Sequence, residues 1–287
     1  MGKWIMRIVT VLVLGVFLYS AGRLVMIRLK YYKGEKTYGD LAEQVTATTK
    51  PAERQDPTPQ PVSTEKDEQP TPEPDDGLIE IPADEVTPIT VDFDALTAIN
   101  SDIIGWIYCE ESVINYPVVH APDGEFYLER DIRLEHDACG TIFSDPSNNK
   151  GFGDANTIVY GHHMQNMSMF ATLKYWLEQE YYDEHPVMWL LTPEGDYRVD
   201  LFSGYETSAF SDTYRVFYGP KEEFGVYLRS AAAQSAFTPN KQIELDEQER
   251  YVLLSTCAYS FNYARTVLHG KLIPVPSTGG KPNPGYK

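Results

Sequence analysis

The sequence predicts a mostly β domain, a mostly antiparallel barrel or sandwich with helices added in its connections, preceded by a membrane helix and a disordered linker. Three observations predict it. Beyond residue 89, short β-prone runs recur between turn signals, with no alternating βα rhythm and no internal repeat. Residues 8–22 (IVTVLVLGVFLYSAG) carry no charge, and the apolar run continues past Arg23 to Ile27. Nine of the twenty prolines fall between Leu41 and Pro88, where Thr, Glu, Gln and Asp fill the gaps and no hydrophobic period is visible.

From the N-terminus, residues 8–27 are long enough to cross a bilayer if Arg23 reaches the interface, with Trp4 and Tyr19 as interface residues. A cleaved signal peptide is the competing reading, with Lys3 and Arg7 as its basic end and Ser20-Ala21-Gly22 near a cleavage site. The renewed apolar run Leu24-Val25-Met26-Ile27 favours an uncleaved anchor. Arg23, Arg28, Lys30 and Lys33 outnumber Lys3 and Arg7, which by charge alone argues for a cytoplasmic C-terminal domain.

The Pro-rich stretch lacks the apolar residues needed to offset ordering entropy, and its prolines favour polyproline II. It reads either as a stiff acidic spacer holding the domain off the membrane or as a plain disordered connector. The expected layout is therefore a membrane anchor with basic flanks over 1–33, a Pro-rich acidic linker over 34–88 and a folded domain over 89–287.

The net charge of −18 combines a basic first 40 residues with a strongly acidic remainder. That balance argues against a nucleic-acid partner, which needs a basic face. Three cysteines, Cys109, Cys139 and Cys257, make no disulfide framework. A Cys109–Cys139 bridge and two inert thiols both remain open.

In the domain, Asp92 is a candidate N-cap for a short helix carrying Phe93, Leu96 and Ile99. Strands are expected over 103–108, 113–119, 139–143 and 157–160, and a short helical piece at 126–128. A helix over 168–182 follows, then a hairpin over 187–192 and 197–206 turning at Glu194-Gly195-Asp196, and a helix over 221–235. Two strands close the chain, one ending in Cys257 and one starting at Arg265.

Antiparallel pairing of those last strands would set Arg265 beside Cys257. A cation beside a thiol favours the thiolate, the nucleophilic form. A cysteine nucleophile also wants a histidine to move protons. His162 follows Gly161 at the end of a β-prone run, where side chains emerge at a barrel rim. His269 sits within the apolar last strand and reads as structural. His120, His136 and His185 lie in connections that give them no geometry. His162-His163 lacks a completing carboxylate or thiol set, so no metal site is expected.

The run Thr157-Ile158-Val159-Tyr160-Gly161-His162, then Leu254-Ser255-Thr256-Cys257, then Arg265 resembles the His–Cys–Arg signature of the sortases, and Leu-Ser-Thr-Cys is most similar to class B. Gly105-Trp106-Ile107 and Asn115-Tyr116-Pro117-Val118-Val119 resemble the family's early strands. The resemblance spans about Phe93 to Pro274. Two positions depart from it: Leu253-Leu254 stands where Thr-Leu is usual, and Ala258 where an acidic residue is common.

The resemblance implies an eight-stranded β-barrel and a cysteine transpeptidase on the outer face of a Gram-positive membrane. Cys257 would attack the carbonyl after the threonine of a C-terminal sorting signal borne by a secreted surface protein. His162 would move protons, and Arg265 would hold the substrate and stabilise the oxyanion. Ser255, Thr256 and Tyr259 would contact substrate. The acceptor would be an amine of a cell-wall precursor or a pilin, and no cofactor would be required. A hydrolytic cysteine peptidase and a non-catalytic membrane-tethered binding module on the same barrel stand as alternatives. The order His before Cys, with the thiol ending a strand, argues against a papain-like arrangement.

Overall fold

The computed structural model describes residues 2–49 and 86–276. The chain opens with one long helix, α1 (Gly2–Val45), 44 residues or about 66 Å at the α-helical rise. Its first part is apolar all round, with Trp4, Val11, Phe17 and Leu24 exposed, and is long and apolar enough to cross a membrane.

The second part of α1 departs from expectation. The anticipated boundary between 33 and 34 falls inside this helix, and Tyr38, Leu41, Ala42 and Val45 are buried in the main core. These four stand at helical spacing, so one stripe of the helix packs on the barrel while Glu43 and Gln44 stay exposed. The spacer reading rested on composition, which cannot register a stripe that only a partner surface makes useful.

Strand β1 (Thr46–Thr48) follows α1 and pairs antiparallel with β2 (Ile89–Val91), and Thr49 N–H donates to the Pro88 carbonyl at 2.8 Å. The Pro-rich segment thus leaves and rejoins the chain at one small ladder. Residues 50–85, on which the extended-spacer expectation falls, lie outside the described residues.

Helix α2 (Phe93–Ile99) is capped by Asp92, whose carboxylate accepts from Ala95 N–H at 2.9 Å. The domain is a closed eight-stranded barrel of β3 (Ile103–Tyr108), β4 (Asn115–His120), β5 (Ile142–Ser144), β6 (Asn156–Tyr160), β7 (Val187–Thr192), β8 (Gly195–Ser208), β9 (Tyr251–Cys257) and β10 (Ala264–Val275). Around the barrel the order is β10-β8-β7-β3-β4-β5-β6-β9. Two neighbouring pairs, β4 with β5 and β6 with β9, are parallel. Closure leaves no open edge in this sheet.

The expected helix over 168–182 is instead a 3₁₀ segment (Ala171–Leu177), an extended Glu178, and α3 (Gln179–Glu184). The break lets Trp176 and Tyr182 both bury, with Trp176 Nε1–H donating to the His185 carbonyl at 2.8 Å. The strand expected from Cys139 starts only at Ile142, because Gly140 turns the chain with φ of 59°. Residues 126–128 form turns, not a helix.

Two clusters fill the interior. Val252, Leu254, Leu268 and Val159 belong to the larger one. The alternate residues Tyr251, Leu253, Val267 and Ile158 join a second, beneath α4 (Glu222–Ala233), with Phe224, Tyr227 and Leu228. The strands are therefore buried on both faces, which explains their continuous apolar runs. Cys109 and Cys139 are both free and buried, so no bridge joins them. Cys109 Sγ–H donates to the Val187 carbonyl, and Cys139 lies beneath Gly34 of α1. Burial pushes both thiols up to about 12.

Candidate active site

Strand register gathers the three residues singled out in the sequence. Arg265 lies directly opposite Cys257 in the antiparallel β9–β10 ladder, so their side chains leave the same face. In the parallel β6–β9 ladder Tyr160 pairs with Ser255, and Gly161 N–H donates to the Ser255 carbonyl at 3.1 Å. His162 follows at the level of Cys257. A Cβ on Gly161 would collide with Ile142 and Phe170, so only glycine lets the chain pass here. All three residues are partly exposed, at one end of the barrel.

The two adjacent histidines have different commitments. His162 Nε2–H donates to the Leu128 carbonyl at 2.7 Å. In the neutral ring this leaves Nδ1 as the free acceptor. His163 Nδ1–H donates to the Cys257 carbonyl at 2.6 Å, and its ring meets Tyr259 edge-on at 5.2 Å. Arg265 donates from Nη1 to the Ala264 carbonyl at 3.0 Å, and among the described residues it forms no salt bridge. Its guanidinium keeps donors for an incoming carbonyl or carboxylate.

The expected substrate contacts separate. Tyr259 is 78% exposed in the loop joining β9 to β10, beside Phe261 and Tyr263. Ser255 is buried, and its hydroxyl pairs with Tyr214 Oη at 2.8 Å. Thr256 is also buried and, by strand alternation, leaves the face opposite Cys257, across from Thr266. The Ser255 and Thr256 side chains are therefore packed away from the rim that exposes Tyr259.

Sequence reasoning passed over Tyr214 and Tyr160. Tyr214, in the 3₁₀ turn Asp212–Tyr214, lies over Tyr160 with ring centroids 6.2 Å apart. Tyr160 Oη donates to Asp145 at 2.8 Å. Burial pushes the Tyr214 hydroxyl up to about 12, opposed by the Ser255 hydrogen bond and the nearby Arg265 charge. Burial, and then Asp145, raise Tyr160 as well, again opposed by Arg265. Both phenols are held neutral, Tyr160 donating to Asp145 and Tyr214 sharing a hydrogen bond with the Ser255 hydroxyl. No sequence motif marks them, because 41 residues separate Tyr214 from its partner Ser255.

No protein-family profile matches the chain. The chain is 32% identical over 180 residues to sortase B of Listeria monocytogenes, covering 62% of this chain and 72% of that protein. It is 32% identical over 185 residues to sortase B of Staphylococcus aureus, covering 64% and 75%. The crystal structure of S. aureus sortase B matches with a TM-score of 0.58 at 31% identity, over 64% of this chain and 87% of that one. Sortase B of Clostridium perfringens matches with a TM-score of 0.60 at 32% identity, over 63% of this chain and all of that one.

Proposed function

We propose, for a chain that belongs to the sortase family, is class B-like and is thereby a cysteine transpeptidase, that it cleaves a C-terminal sorting signal after threonine and joins the protein to an amine. The observation that supports this reading is the register: Arg265 faces Cys257 across the β9–β10 ladder, and the β6–β9 ladder ends two residues before His162, at the same rim of the barrel.

Cys257 Sγ, as thiolate, attacks the carbonyl carbon of the threonine. Arg265 faces the oxygen on which negative charge develops, where a fixed donor is most effective. His162, its Nε2–H held by Leu128, takes the Cys257 thiol proton on Nδ1 as the thiolate forms and delivers that proton to the leaving amine as the C–N bond breaks. The thioester that forms is attacked by the incoming amine, which gives its proton to Nδ1, and the C–S bond breaks to free the Cys257 thiolate, restoring the starting thiolate and protonated His162. Tyr259 contacts substrate from the exposed loop, whereas Ser255 and Thr256 shape the strand beneath.

The substrates are secreted surface proteins bearing the signal, and the acceptor is a cell-wall precursor amine or a pilin. A sortase B complex with substrate and one with triglycine are among the solved structures matching this chain. Such substrates meet the enzyme outside the cell. The reading therefore places α1 once through the membrane and the barrel extracytoplasmic, against the count of flanking charges. Residues 34–48 then belong with the catalytic domain.

The test incubates the full chain in detergent micelles with sorting-signal peptides and amine acceptors, read by mass. A product joined to the amine, absent with Cys257→Ala, is expected. A free-acid product alone would assign a hydrolytic peptidase, and peptide binding without cleavage a binding module.

A further inference from the structure

Helix α1 touches the barrel at the same end as the candidate active site. It packs against the start of β4, the turn before β5 and the loop that follows His162-His163. One side chain of α1, Tyr38, reaches toward His162 along two separate routes. Tyr38 is 3% exposed and more than a hundred residues away in sequence.

The first route runs through its hydroxyl. Tyr38 Oη donates to the Gly140 carbonyl at 2.5 Å and lies 2.9 Å from Thr141 Oγ1. Thr141 in turn is tied to Tyr127 and Arg130, its N–H donating to the Tyr127 carbonyl at 3.0 Å and its Oγ1–H to the Arg130 carbonyl at 2.8 Å. Gly140, at φ 59°, is pressed so closely on the Tyr127 and Leu128 carbonyls that a Cβ would overlap both. The Leu128 oxygen is the acceptor that holds His162 Nε2–H.

The second route runs through its ring. Tyr38 meets Tyr116 edge-on, centroids 5.7 Å apart and planes at 83°. Tyr116 Oη accepts from Met169 N–H at 3.0 Å. Met169 bridges back to His163, and the next residue, Phe170, donates its N–H to the His162 carbonyl at 3.0 Å. Both Met167 and Met169 sit at positive φ, 65° and 57°, a conformation that non-glycine residues keep only when their surroundings enforce it. The Tyr116 bond is one such enforcement.

We propose that Tyr38 is a positioning residue for His162, so that the docked end of the membrane helix sets the geometry of the proton-transfer group. The proposal rests on the reading of His162 given above. One route fixes the acceptor of the imidazole and the other fixes the backbone that carries it. Loss of either lets the ring drift, and a displacement of about 1 Å can cost up to about 100-fold in rate.

The test compares the wild-type full chain in detergent micelles with Tyr38→Ala, Tyr38→Phe, Tyr116→Phe and His162→Gln. Steady-state ligation kinetics give kcat and KM. NMR of 15N-histidine protein follows the His162 Nε2–H resonance, assigned by its loss in His162→Gln. Tyr38→Ala is expected to lower kcat about tenfold or more with KM within about twofold, and to weaken or shift the Nε2–H resonance. Tyr38→Phe keeps the ring contact and Tyr116→Phe keeps the hydroxyl route, so each should lose about threefold and partly rescue the resonance. If Tyr38→Ala does not fold, these two conservative variants carry the test. Wild-type kcat and an unmoved resonance in the folded Tyr38 and Tyr116 variants, with His162→Gln inactive, overturn the positioning role. A wild-type rate in His162→Gln instead overturns the reading of His162 and with it the basis of this proposal.

Discussion

Leu253 and Cys257 leave the same face of one strand, yet they sit in different chemical worlds. Around Leu253 the face is roofed by α4, and Phe202, Phe224, Tyr227 and Val267 enclose it. His269, directly across from Leu253, is fully buried there, and burial pulls its imidazole down to about 3. Two same-face positions further along, Cys257 and Arg265 are partly exposed at the rim, and His162 is partly exposed at the same end of the barrel. The sheet is continuous across both regions, so strand pattern does not separate them. The difference lies in where the roof ends, and Tyr214, packed over Ser255, marks the border.

The comparison breaks first at the rim. Cys257→Ala is expected to remove about 10⁴-fold or more of the ligation rate while the thermal midpoint stays within a few degrees, because the side chain is not part of the core. Ligation by that variant would move the nucleophile elsewhere. His162→Ala and Arg265→Ala should each lose about 10²–10⁴-fold, measured as kcat/KM with the sorting peptide. A normal rate after His162→Ala would transfer the proton role to His163, whose Nδ1–H already reaches the Cys257 carbonyl.

Beneath the roof the expected effects are on stability. The folded state holds His269 neutral with a pKa below its ordinary 6.5, so the unfolded chain binds the extra proton. The stabilisation is complete above pH 6.5 and is lost as pH falls toward about 3. At pH 5 the loss is about 2 kcal/mol relative to pH 7.5. Urea unfolding of wild type and His269→Phe at both pH values checks this: the variant should show the smaller drop. An equal drop in both would assign the acid sensitivity to other groups.

At the border, Tyr214→Phe leaves the buried Ser255 hydroxyl without its partner. It should cost about 1–3 kcal/mol in urea unfolding. A loss of ligation rate without loss of stability would instead make Tyr214 part of the rim.

Much of the barrel was legible because its strands are short, apolar and separated by turn residues, and because Gly161-His162 and Ser255-Thr256-Cys257 each end such a run. The β9–β10 turn is local, so the facing of Cys257 and Arg265 follows from seven intervening residues. Less was legible where partners are distant. Thr256 reads as a rim residue from its place next to Cys257, but alternation turns it inward. The helix expected over 168–182 breaks at Glu178, because Trp176 and Tyr182 bury in separate contacts. The stripe Tyr38, Leu41, Ala42, Val45 was visible as spacing, yet a charged and glycine-containing neighbourhood concealed it.

By itself the sequence determined what is local: an apolar run long enough to cross a membrane, a series of short strands, and a thiol and a guanidinium brought face to face by one tight connection. Periodicity and turn chemistry are properties of neighbouring residues, and they suffice for that. Only the tertiary structure decided that α1 runs unbroken from the apolar segment into the core, and that the Pro-rich segment begins and ends at one ladder. It also decided that Tyr38 stands three contacts from His162. Those relations arise from burial between surfaces far apart in the chain, where the gain appears only once both surfaces exist.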